Sequence, residues 1–187
     1  RRVLFRSRAR FIAASGLLHA LRYETHPVED LIDVEKWARF LAIVDLTEAY
    51  HSLIWHNLRF YFNPVTHRLE PVGYDGFNED GAFNWLGDKN VVLHSDKNAQ
   101  PLRAITSCEA VREAYREALA LYTNSEFLDQ FEKKTEAELA ERLDWLQAGS
   151  PGYSWDFENW RERAAMLAET VDQEIPSDPE LRFWANV

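Results

Sequence analysis

The chain has 187 residues, 46% apolar and 13% aromatic, enough for a core that removes about 70% of the unfolded surface from water; disordered, collagen-like and low-complexity classes are excluded. Thirty-one acidic against twenty-one basic residues give a net charge of -10, which disfavours binding to phosphate backbones, so no nucleic-acid partner is expected. A single cysteine, Cys108, rules out an internal disulfide and a Cys-rich zinc site, and no run approaches the roughly 20 apolar residues of a membrane-spanning helix.

Five of the first ten residues are Arg, unlike anything that follows, and Arg1 to Ser7 reads as a foreign or assembly-derived end that is set aside from fold reasoning, the alternative being a native basic terminus. The quietest apolar run, Phe11 to Leu21, is short and contains His19. A helix is expected behind Asp33, whose side chain can accept first-turn amide hydrogens, with Val34, Trp37, Ala38, Leu41 and Val44 at helical spacing. The pattern continues through Ala49, Tyr50 and Leu53, so the helix is expected to end near Ile54.

The period then changes to two. Leu58, Phe60 and Phe62 alternate with Arg59 and Tyr61 as in a half-buried strand, Asn63 and Pro64 open a turn that His67 and Arg68 close, and Leu69 to Tyr74 supplies a second extended run with Pro71 at an edge. This is a hairpin. Residues 75–100 lack any period and are rich in Asn, Asp and Gly, which reads as a long loop, with Phe77, Phe83 and Trp85 to pack it.

The remainder reads as helical. Capping-box patterns are formed by Thr106 with Glu109 and by Thr135 with Glu138; Phe127, Leu128, Phe131, Leu139, Leu143 and Leu146 outline one or two helices. Gly149, Pro151 and Gly152 break the chain before a last helix on Trp160, Ala164, Leu167 and Val171. The fold class is therefore mostly α with a small β-hairpin, in one partial domain over residues 1–187.

Candidate chemistry gathers where helix, hairpin and loop meet, at His51, His56, Asn57, Asp75, Asn78 and Asp80. If Phe62 pairs with Leu69, the antiparallel register sets His56 opposite Asp75 and Asn57 opposite Tyr74, so Asn57 and Asp75 flank the same open end of the hairpin. An amide oxygen and a carboxylate held that close suit a Mg²⁺ that keeps several waters and binds substrate phosphates.

Plainer uses exist for each residue: Asn57 as a cap of the helix-to-strand junction, Asp75 as a turn residue before Gly76, His51 as a hydrogen-bonded core residue, and Asn78, Asp80 and Asp88 as solvated loop residues. The five-residue spacing of His51 and His56 misses the shared helix face that zinc requires, and residues 76–81 lack the alternating carboxylates of a calcium loop. Cys108 has no His close in sequence and reads as an inert thiol.

The stretch Asp45-Leu-Thr-Glu-Ala-Tyr-His-Ser-Leu-Ile-Trp-His-Asn-Leu-Arg-Phe-Tyr-Phe-Asn-Pro, continuing through Leu69-Glu-Pro-Val-Gly-Tyr-Asp75, resembles the signature of the spore-coat-protein-H-like (CotH) kinases: a helix, an Asn before an aromatic strand, a hairpin and an Asp. The resemblance is detailed over about residues 33–80 and only helical beyond. It implies the helical C-lobe of an atypical protein-kinase-like fold, transfer of the ATP γ-phosphate to Ser or Thr hydroxyls of a protein substrate, and a bacterial protein of the cell envelope or spore surface.

In protein kinases a catalytic-loop Asn and the Asp of an Asp-Phe-Gly tripeptide hold two Mg²⁺, and Asn57 and Asp75 match those roles, with Asp75-Gly76-Phe77 a looser version of the tripeptide. Two departures stand out. The position five residues before Asn57, where kinases place the Asp base, is Ser52, which leaves His51 as the nearest substitute. Neither a glycine-rich phosphate loop nor a nucleotide-binding Lys is legible ahead of Asp45, so the nucleotide lobe is expected to lie outside this chain and ATP binding by the chain alone to be weak. The competing expectation is a noncatalytic, pseudokinase-like interaction or envelope domain in which the hairpin is only structural.

Overall fold

The computed structural model describes residues 2–54, 56–76 and 100–169, and no side chain before Ser7. Among the described residues, seven helices and one hairpin run in the order α1 (Arg2–Tyr23), α2 (Val28–Leu31), α3 (Val34–Thr47), a 3-10 turn (Tyr50–Leu53), β1 (Arg59–Asn63), β2 (Arg68–Val72), α4 (Gln100–Ser107), α5 (Glu109–Tyr122), α6 (Ser125–Gly149) and α7 (Glu158–Ala168). The described part is mostly helical with one two-stranded antiparallel sheet.

Helix α3 organises the rest. Asp33 caps it, its carboxylate accepting the Lys36 amide hydrogen at 3.1 Å, as the sequence pattern predicts. One face of α3 lies along α5, and Trp37, Leu41 and Val44 meet Val111, Tyr115 and Leu119 in a core that also takes in Leu102 and Ile105 of α4 and Leu167 of α7. The Trp37 indole donates to the Leu69 carbonyl at 3.1 Å and lies 5.3 Å from the Phe60 ring, which seats the hairpin on α3. The same carbonyl accepts the Asp33 amide at 3.0 Å.

Phe62 pairs with Leu69, the expected register, and the ladder runs from Arg59–Val72 to Asn63–Arg68. The Asn63 side chain accepts the Val65 amide at 2.8 Å and closes the turn, while His67 takes the left-handed conformation (φ 57°) on its way into β2. Pro71 is tolerated because a two-stranded ribbon has an outer edge on each strand.

The expectations for the end of α3, the two capping boxes and the first residues are corrected. Helix α3 stops at Thr47 rather than near Ile54: Glu48 turns left-handed (φ 53°), and Tyr50 to Leu53 form a separate 3-10 turn whose Tyr50 and Leu53 stay buried, which prolongs the apolar period past the helix end. Thr106 and Thr135 cap nothing; both sit inside helices and donate to the carbonyls four residues back, Leu102 and Phe131. Helix α5 starts behind Cys108, which makes no side-chain capping bond, α6 is capped by Asn124, whose side chain accepts the Phe127 amide, and residues 125–149 form one helix. Helices α1 and α2 carry no reading in the sequence, α4 falls in the stretch read as helical but starts at Gln100, the last residue read as loop, and α1 is continuous through residues 2–7, which the sequence reading sets aside. Phe77, Asn78, Asp80, Phe83, Trp85, Asp88 and Val171 lie outside the described residues.

Candidate functional site

Three segments converge at the open end of the hairpin. The 3-10 turn brings His51, the short run from it into β1 brings Asn57, and the exit from β2 brings Asp75. Asn57 is buried at 5% exposure, and its Nδ2 donates to Asp75 Oδ2 at 3.2 Å and to the His51 carbonyl at 3.3 Å. His51 Nε2 lies 3.5 Å from the same Asp75 oxygen; its side chain is 16% exposed while that of Asp75 is 48% exposed. The amide that reads as a helix-end cap thus spans the site, tying the turn to the carboxylate.

The route to this pairing differs from the extended register. Asn57 meets Asp75 rather than Tyr74, because the ladder ends at Arg59–Val72 and Asp75 adopts a left-handed backbone (φ 52°) that turns it out of the strand line. Gly76 follows at close quarters: a Cβ placed there would stand 3.2 Å from the Ala49 Cβ, closer than ordinary van der Waals contact, so a side chain at this position would require Ala49 to shift. His56 is exposed and its ring stands edge-on to His51 at 5.9 Å.

At the position of the kinase base, Ser52 is buried and donates to the Ala49 carbonyl at 2.7 Å, a turn-stabilising use. Glu48 is directed to Arg163, 3.9 Å from its guanidinium. Of the groups with acid–base chemistry near Asn57, His51 is therefore the one held against Asp75.

Sequence reasoning missed the polar network beneath the turn. Asp45, fully buried on α3, accepts the Tyr50 hydroxyl at 3.1 Å through Oδ1 and the Tyr115 hydroxyl through Oδ2. Arg163 of α7 donates from Nε to the Asp45 backbone carbonyl at 2.9 Å and from Nη2 to the Tyr50 hydroxyl at 2.5 Å. Burial first, and the Asp45 charge next, push both phenols well above the ordinary tyrosine range, so they act only as neutral hydroxyls. Asp45 lies inside the quoted signature, but its partners Tyr115 and Arg163 lie far along the chain, where no local spacing reveals them.

A second missed cluster supports the hairpin: Glu70, nearly buried, accepts Lys36 Nζ and Asn63 Nδ2, each at 2.7 Å. These two hydrogen bonds, the Lys36 one foremost, hold the Glu70 carboxyl below its usual range. Cys108 is half-buried just ahead of α5; burial pushes its thiol up, with Glu29 3.8 Å away, which disfavours the reactive thiolate.

Among the described residues no group of three or more His, Cys, Asp or Glu side chains could hold a metal, and no helix is long and apolar enough to cross a membrane. Asn57 and Asp75 are two oxygen-bearing side chains, too few for an all-protein cage but matched to a Mg²⁺ whose remaining shell is water and phosphate. Compared with protein families, curated proteins and solved structures, the chain matches none.

Proposed function

We propose that the chain is the helical part of a CotH-like phosphotransferase, in which Asn57 and Asp75 hold Mg²⁺ with the phosphates of ATP and His51 takes the proton of a protein hydroxyl. The observation that carries this reading is the convergence of Asn57 and His51 on one oxygen of a half-exposed Asp75. Asn57 is the buried anchor, and its hydrogen bond leaves the carboxylate little freedom to rotate.

The reaction joins an acceptor hydroxyl oxygen to the γ-phosphorus of ATP and breaks the bond from that phosphorus to the bridging oxygen, so ADP leaves and the hydroxyl proton passes to an imidazole nitrogen of His51. Magnesium, when bound, would neutralise phosphate charge. Asp75 supplies the anionic ligand, Asn57 aims it, and the 3-10 turn sets the imidazole beside it. The test is transfer of labelled γ-phosphate from ATP to protein, measured on the parent polypeptide. Asp75→Asn is expected to abolish the Mg²⁺-dependent signal while leaving the circular dichroism unchanged; equal transfer by the variant would take Asp75 out of the reaction.

The second reading, a noncatalytic relative with an interaction or envelope role, is favoured by Ser52, which is buried and committed to the Ala49 carbonyl. His51→Gln separates the two. Loss of transfer with nucleotide binding retained belongs to the enzyme, and no transfer even by the wild-type parent belongs to the noncatalytic relative.

A further inference from the structure

We propose that Arg163 and Tyr50 are positioning residues of this site: with Asp45 they form a buried strut from α7 to the 3-10 turn, and the strut sets where His51 and Asn57 meet Asp75. The functional part of the inference rests on the metal-phosphate reading above; the structural part does not.

The contacts form an unbroken series. The last-turn carbonyls of a helix have no partner within it, and the Asp45 carbonyl near the end of α3 finds one in Arg163 Nε at 2.9 Å. The same guanidinium reaches the Tyr50 hydroxyl at 2.5 Å, and that hydroxyl donates onward to Asp45 Oδ1 at 3.1 Å, so one planar group fixes both the end of α3 and the first residue of the turn. Tyr50 is followed directly by His51, whose carbonyl accepts Asn57 Nδ2, and Asn57 Nδ2 in turn holds Asp75. The Arg163 side chain is 12% exposed and Asp45 wholly buried, so the polar groups are kept from exchanging these partners for water.

A helix 118 residues away in sequence from Asp45 thereby determines the geometry of the candidate site. Groups hydrogen-bonded directly to metal ligands commonly change metal affinity by about 10- to 100-fold when lost, and the strut acts one link farther out, through the His51 carbonyl.

The experiment compares the wild-type chain with Tyr50→Phe, which keeps the ring and removes the hydroxyl, and Arg163→Lys, which keeps the charge but cannot span both acceptors. The probes are Mn²⁺ affinity and the Asn57 side-chain amide resonances. Both variants are expected to weaken Mn²⁺ binding about tenfold, the low end of that range, and to move the Asn57 resonances. Arg161→Lys, which loosens α7 from Asp129 and Glu132 on α6 without touching the strut, is expected to change neither. Unaltered Asn57 resonances in Tyr50→Phe would overturn the strut, and that variant alone decides if Arg163→Lys does not fold. A wild-type chain that takes up no Mn²⁺ removes the metal reading and leaves the Asn57 resonances to judge the strut by themselves.

Discussion

Asp75 is the residue at which backbone and chemistry meet. A non-glycine residue at φ 52° sits in a region that costs an ordinary L-residue about 1–2 kcal/mol, and Asp is among the few side chains that tolerate it. Glu48 and His67 take the same conformation at a helix end and a turn, so the left-handed backbone at Asp75 is a turn geometry that also aims its carboxylate at Asn57 and His51. Urea denaturation checks this: Asp75→Gly is expected to be more stable than Asp75→Ala by about 1–2 kcal/mol, with Mn²⁺ binding lost in both. Equal stability would mean that the backbone relaxes out of the left-handed region and that no strain is held there. That Asn57 and Asp75 flank the same end of the hairpin was legible because register is set by a turn and an alternation that both show in the sequence; their direct hydrogen bond was not, because it depends on the left-handed turn at Asp75. The strut was not, because Arg163 meets Asp45 and Tyr50 only after α7 has packed on α3.

Among the elements, the hairpin depends on an ion pair that titrates. The folded-state Glu70 carboxyl lies below its ordinary range, so the unfolded chain binds more protons in acid, and the stabilisation is present above the unfolded carboxylate value near about 4.3 and is lost as pH falls below it. Glu70→Gln is expected to lower stability at neutral pH and to flatten the acid limb of a melting-temperature profile; an unchanged acid limb would remove Glu70 from the acid response. Element boundaries explain where the sequence misled. The end of α3 was hidden because the 3-10 turn buries Tyr50 and Leu53 in the core that α3 serves, so periodicity ran on after the helix hydrogen bonds had stopped. The two Thr-x-x-Glu patterns failed for another reason: a Thr hydroxyl in mid-helix can bond a carbonyl of the preceding turn, so this short motif does not mark a helix start by itself.

For the whole molecule, one core joins α3, α4, α5, α7 and the hairpin, and the candidate site lies at its edge. Trp37 stands at the centre: fully buried, edge-on to Phe40 and hydrogen-bonded to Leu69, it links helix and ribbon through a single side chain. Trp37→Ala is expected to cost about 3–5 kcal/mol and to release the hairpin along with the core, read as a cooperative fall in both near-ultraviolet signal and Mn²⁺ binding. Retained Mn²⁺ binding in a destabilised variant would show that the site does not need the helix-to-ribbon link. The helical class and the hairpin were predictable because each rests on local periodicity, whereas the assembly of α7 against the turn is a tertiary event with no local trace.

The most direct measurement of the central claim is line broadening by substoichiometric Mn²⁺ across the amide spectrum of the chain. The account expects the first signals lost to be those around His51, Asn57 and Asp75, with the pattern erased in Asp75→Asn. Broadening that starts instead on the acidic surface of α6, or that is the same in wild type and variant, would contradict it.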